Sequence, residues 1–316
     1  MGLAFNLSLF PPESEVNSQG HLVIGGCDLV SLAEEYGTPL YIFDEKALRE
    51  KCREFKSVFN EFYPGTKVVY ASKAFINKPL TVLFKEEGMG LDVVSGGEIS
   101  IAHAAGFPLD RVYFHGNNKG LEELKLALQL GIGRIVVDNF HELGLLDKLA
   151  GDLGIRPTIL LRITPGIDPH TQQKISTGNV DSKFGFPESS REQAVVQALA
   201  SPNLDLAGFH SHIGSLIFDT QPYLEALKVV LGFAAEMKKK HGLEFRELNV
   251  GGGFAIQYVS ESPAPPPGFY AESLTAAIKR ECADLNLSLP TLTIEPGRSV
   301  VGKAGVALYT VGAIKD

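Results

Sequence analysis

The β-branched run VVYASK at residues 68–73 ends in a lysine. Further along, HSHIGS occupies 210–215, a triple glycine 251–253 and EPGR 295–298, each directly after a short apolar run. Lys73 admits two readings. It is a solvated residue just past a strand, or an amine held partly dry so that it attacks a carbonyl, as in Schiff-base chemistry. Gly251, Gly252 and Gly253 let backbone N–H groups approach an anion, or they only turn the chain. The Gly214 amide and Ser215 offer a second anion contact beside them. Glu295 is a carboxylate able to keep a pyridine nitrogen protonated, or the start of a helix at a Glu-Pro pair. His212 can lie flat against a ring or be a hydrogen-bonded core histidine, and His210 reads more simply as core. A lysine amine, a phosphate cradle and a carboxylate together point to pyridoxal 5′-phosphate. The rival is a metal hydrolase with His210 and His212 as ligands. It lacks a third histidine in a matching motif and leaves Lys73 and the glycines without a task.

These side chains need elements to hold them. Eight strand candidates stand out: KVVYASK, GLDVVS, RVYFHG, RIVVDN, TILLRIT, LAGFHSHIG, ELNVGGG and LTIEPG. Helical patterns such as GLEELKLALQLG and LEALKVVLGFAAEMKKKHG separate them. That alternation predicts an α/β fold, a (β/α)8 TIM barrel, with a doubly wound open sheet as runner-up. Catalytic groups of such barrels stand at the C-terminal ends of the strands. There the sequence places Lys73, then Asp92 with Ser95 to Glu98, His115 and Asn117, Asp138, Arg162, His210 to Ser215, Gly251 to Gly253, and Glu295 to Arg298.

Two stretches lie outside the count. Residues 1–38 contain GHLVIGG and a short helical segment, and GVALYTVGAIKD at 305–316 reads as a further strand without a partner. The expected division is therefore an N-terminal part of a β-domain over 1–38, the barrel over 39–303, and the start of a C-terminal β-domain over 304–316. APPPG at 264–268 reads as a surface loop.

Composition narrows the class. The 316 residues are 44% hydrophobic and 21% charged, ordinary for a soluble globular chain. A net charge of −8 argues against a nucleic-acid surface. The basic run Lys238-Lys239-Lys240 suits the last turn of a helix. Cys27, Cys52 and Cys282 form no metal spacing and no disulfide set, which fits a reducing cytoplasm. No apolar run is long enough to span a membrane, and the N-terminus has neither a basic signal-peptide region nor a myristoylation pattern.

YASKA, HSHIGS, LNVGGGF and EPGR resemble the motifs of barrel-type pyridoxal-phosphate decarboxylases of the alanine-racemase fold. ISTGNVDSKFGF at 175–186 and HIGSLIFD at 212–219 resemble the diaminopimelate decarboxylases more than the ornithine or arginine decarboxylases. The resemblance implies Lys73 as the cofactor-bearing lysine, His212 as the ring-stacking residue and Glu295 as the pyridine-nitrogen partner. It implies Ser215, the glycines 251–253, Gly297 and Arg298 as phosphate contacts, and Arg298 also as a substrate-carboxylate contact. Asp92 and Arg162 would be further members of the site. The implied reaction is decarboxylation of meso-2,6-diaminopimelate to L-lysine and CO₂ by a homodimer. An ornithine/arginine-type decarboxylase and a non-catalytic PLP-binding protein are the alternatives, and Glu295 speaks against a racemase. Phe75 stands where many relatives carry Asn. The family continues beyond the last residue here, with a cysteine acid, a phosphate-binding tyrosine and further substrate contacts, and Cys282 does not match that cysteine. The chain is thus expected to be a whole barrel with a partial second domain, folding without turning over substrate.

Overall fold

The computed structural model describes residues 7–167 and 183–315. Part of the ISTGNVDSKFGF motif, residues 175–182, lies outside them. The chain begins with short strands β1 (Glu15–Val16), β2 (Leu22–Ile24) and β3 (Cys27–Asp28), which form an antiparallel meander, then helix α1 (Leu29–Tyr36) and strand β4 (Leu40–Phe43). Helix α2 (Glu45–Phe62) leads into the barrel. Its strands are β5 (Lys67–Ala71), β6 (Gly90–Val93), β7 (Val112–Phe114), β8 (Arg134–Val137), β9 (Thr158–Arg162), β10 (Asp205–His210), β11 (Glu247–Asn249) and β12 (Thr291–Ile294). Between them run α3 (Lys78–Glu86), α4 (Gly96–Ala104), α5 (Leu121–Gln129), α6 (Phe140–Leu153), α7 (Glu188–Ala200), α8 (Gln221–His241) and α9 (Pro267–Asp284). After β12 come α10 (Arg298–Val301) and β13 (Gly305–Leu308).

The eight strands pair in parallel, and the ring closes where β12 meets β5 at Thr293↔Lys67 and Ile294↔Val68. All eight were expected from the apolar runs. Each strand is buried on both faces, so its two-residue period sorts side chains between two cores. Val69, Tyr113, Val136, Leu160 and Ala207 fill the barrel interior, while Val68, Tyr70, Val112 and Ile135 pack under the helices. Several helices start on their own side-chain caps, which fixes where each loop ends. Asn77 accepts from the Leu80 amide at 2.9 Å, and Asn139 from that of Glu142 at 2.9 Å. Pro79 sits in the first turn of α3, where its missing N–H costs no hydrogen bond. Lys238, Lys239 and Lys240 end α8 as expected.

One expectation is corrected. The strand near the C-terminus has a partner: β13 pairs antiparallel with β4, Gly305↔Phe43 through Leu308↔Leu40. The run LYIF at 40–43 is only four residues long and lies largely half-buried, so it carried no strand signal of its own. The β1–β2–β3 meander forms a separate sheet.

Candidate active site

Backbone hydrogen bonds continue past the strand ends and lock the mouth of the barrel. Ala71 N donates to Pro296 O (3.2 Å), Glu295 N to Gly251 O (2.8 Å), Ser211 N to Asn249 O (2.9 Å) and His115 N to Val93 O (2.8 Å). The polar residues that follow the strands are therefore held on a rigid ring. They line two adjoining cavities of about 600 and 390 Å³. Lys73, Asp92, His212, Ser215 and Glu295 border both. His115, Asn117, Arg162 and His210 line the first, and Gly252, Gly253, Gly297 and Arg298 the second.

Lys73 stands on a 3₁₀ turn, Ser72–Ala74, that lifts it beyond the last barrel layer. As a residue it is exposed at the rim. Its side chain nonetheless faces both cavities. The buried Lys119 offers a contrast. Its amine donates to Gly116 O, Val136 O and Glu142 Oε1 at 2.7–2.8 Å, so its three N–H groups are all engaged within the scaffold.

Glu295 is buried at the floor. Its Oε1 accepts from Asn249 Nδ2 at 2.6 Å and lies 2.8 Å from His115 Nε2. Burial alone would raise its carboxyl, but the imidazoles of His115 first and His210 second outweigh that and hold it well below the usual carboxylate range. Asp92, 3.9 Å from the same imidazole, is pushed up to about 6, chiefly by burial. One imidazole thus serves two carboxyls, and Glu295 keeps the charge. His115 itself is raised, because the two carboxyls overcome its burial. His210 is pushed down to about 3 by burial and stays neutral, its Nε2 3.3 Å from Glu295 Oε2. His212 is also driven well down, first by burial and then by Lys73, and its Nδ1 accepts from Gly252 N at 3.4 Å. A neutral imidazole with that nitrogen occupied keeps its face free for a ring.

The glycines earn their positions by close approach. A side chain at Gly252 would strike the Glu295 carbonyl, and one at Gly253 (φ +98°) the Gly214 carbonyl. The loops after β10, β11 and β12 therefore touch backbone to backbone. Arg298, at the start of α10, donates to Tyr258 Oη at 2.8 Å. Arg162 lies 3.8 Å from Asp138 and over the Phe184 ring. Among the described residues the metal-competent cluster is His115, His210 and Glu295, not the pair His210 and His212 that a hydrolase would have used.

The family described as pyridoxal-dependent decarboxylase, pyridoxal binding domain, matches residues 45–302. A diaminopimelate decarboxylase of Bacillus methanolicus is 45% identical over 309 residues, covering 97% of this chain and 72% of that protein. This chain belongs to the diaminopimelate decarboxylase family. The homologue of Bacillus subtilis (strain 168) is 46% identical over 305 residues, 96% of this chain and 70% of that one. A crystal structure of diaminopimelate decarboxylase from M. jannaschii in complex with L-lysine superposes with a TM-score of 0.89 at 34% identity, over 96% of this chain and 71% of that one.

A pyridoxal-binding barrel must satisfy a ring, a phosphate and an aldehyde, and the residues present fit. Asp92 Oδ1 and His210 Nδ1, buried polar atoms without a hydrogen-bond partner among the described residues, belong to residues of the cavity wall. The glycine loops leave room where any Cβ would intrude. Every candidate from the sequence, namely Lys73, Asp92, Arg162, His212, Ser215, Gly251 to Gly253, Glu295, Gly297 and Arg298, falls at this mouth. Gly251 is the one that lines neither cavity; it packs behind His212. Asn249 was missed. A polar residue at the C-terminal end of β11, two positions before the glycines, was the signal for it. His115 and Asp138 were noted at strand mouths, but no role could be attached to them until their partners were seen.

Proposed function

We propose that this protein decarboxylates meso-2,6-diaminopimelate to L-lysine and CO₂. The observation that carries the reading is the meeting of Lys73, neutral His212 and ionised Glu295 around one cavity floored by glycine loops. When bound, pyridoxal phosphate supplies the electron sink for the pair left as CO₂ departs. The chain supplies placement and charge. The Lys73 amine, bordering both cavities, would tether the cofactor. Glu295 would keep a proton at the ring nitrogen, and His212 would offer its face to the ring. Ser215, the loop at Gly252 and Gly253 and the Gly297–Arg298 loop would take the phosphate, while Gly251, its amide engaged by Asn249 Oδ1, supports that loop from behind. Arg298 takes a substrate carboxylate, while Asp92 and Arg162 complete the wall. The free cysteines agree with work in a reducing cytoplasm, and the homodimer implied by the resemblance belongs to the same proposal.

The experiment is lysine formation from meso-diaminopimelate, with ornithine and arginine as competing substrates. It is run on residues 1–316 and on a form extended to the length of the relatives. Lysine with no putrescine or agmatine supports the proposal. Preference for ornithine or arginine, or no decarboxylation by either form, overturns it.

A further inference from the structure

We propose that His115 is a positioning residue: together with Asn249 it occupies one oxygen of Glu295 and so leaves the other as the carboxylate oxygen available to a ligand. The inference rests on the cofactor reading above. His115 is fixed by its backbone, which continues the β6–β7 ladder through Val93 O at 2.8 Å. Its side chain is 6% exposed, with Nε2 2.8 Å from Glu295 Oε1. Asn249 Nδ2 reaches the same oxygen at 2.6 Å, and Asn249 Oδ1 accepts from the Gly251 amide at 2.9 Å. Two donors fill the lone pairs of Oε1. Among the described residues Oε2 faces His210 Nε2 at 3.3 Å, a longer contact than either of those to Oε1. The carboxylate is thus clamped at one oxygen and held only by the longer His210 contact at the other. A carboxylate free to rotate would offer either oxygen and lose aim, the usual cost when an outer partner of a functional group is removed. The clamp also ties the glycine loop to the floor, since Asn249 serves both.

The charged and titratable groups facing His115 are Glu295, Asp92, the edge-on ring of His210 at 4.7 Å, and Arg162. The first test needs no cofactor. In the apoprotein, the His115 imidazole is followed by NMR through a pH titration, in wild type and in Glu295→Gln. The pairing predicts that its midpoint falls in the variant, and an unmoved midpoint overturns the proposal. The second test loads ¹⁵N-labelled pyridoxal phosphate. His115→Phe should shift the ring ¹⁵N resonance toward the unprotonated position, and His115→Gln, which keeps a donor, should restore most of it. If His115→Phe leaves the resonance where wild type has it, the positioning role is wrong. If His115→Phe does not fold, the apoprotein titration still decides. Failure of wild type to bind the cofactor at all would instead sink the functional reading, leaving the Glu295 pairing to stand or fall on the first test.

Discussion

At the scale of single residues the site is a distribution of charge. Glu295 is ionised, His210 and His212 are neutral, and each state follows from burial set against one or two partners. Glu295→Gln keeps an acceptor for Asn249 and His115 while removing the charge. In a form extended to the length of the relatives, it should lower the decarboxylation rate by about 10²–10³, the usual range for one key electrostatic group, with a much smaller change in cofactor affinity. Steady-state rates beside a cofactor titration check this, and an unchanged rate would remove Glu295 from the chemistry. Lys73 and Glu295 were legible in the sequence because a barrel puts its chemistry at strand mouths, and both follow apolar runs. The clamp on Glu295 was not legible. His115 lies 180 residues away in sequence, and only closure of the barrel brings the two together. The exposure of Lys73 was hidden too, since nothing in SKA announces a 3₁₀ turn.

At the scale of elements the glycine loops decide the shape of the cradle. Gly253 combines a positive φ with contact against the Gly214 backbone. Gly253→Ala should strain the turn and push the β10 and β11 loops apart, costing about 1–3 kcal/mol of stability and weakening cofactor uptake. Urea denaturation and a cofactor titration measure the two effects, and wild-type values for both would contradict the close-approach account. The barrel strands were readable because each is a short β-branched or apolar run between helical patterns. The β4–β13 pair was only half readable. Its later strand stood out, while the earlier one is four residues at a half-buried edge.

At the scale of the whole molecule the buried histidine links the site to stability. His210 titrates near 3 in the fold against about 6.5 in an unfolded chain. Its contribution is therefore fully present above pH 6.5 and is lost as pH falls from there toward 3, because the unfolded chain takes up the proton first. The slope is at most about 1.4 kcal/mol per pH unit for one group. Asp92, raised to about 6, works in the opposite sense, favouring the fold at low pH and losing that contribution as pH rises through 6. The comparison that isolates His210 is wild type against His210→Phe by urea denaturation at pH 7 and pH 5. The variant should lose less stability between the two, and equal losses would show that His210 is not held neutral.

The central claim is that a lysine at the mouth of the first barrel strand carries the cofactor, and one chemical measurement reaches it. The protein is loaded with pyridoxal phosphate, reduced with borohydride and digested, and the labelled peptide is sequenced by mass spectrometry. The account predicts a pyridoxyl group on Lys73. A label on Lys78, on the buried Lys119 or on no lysine at all would contradict it.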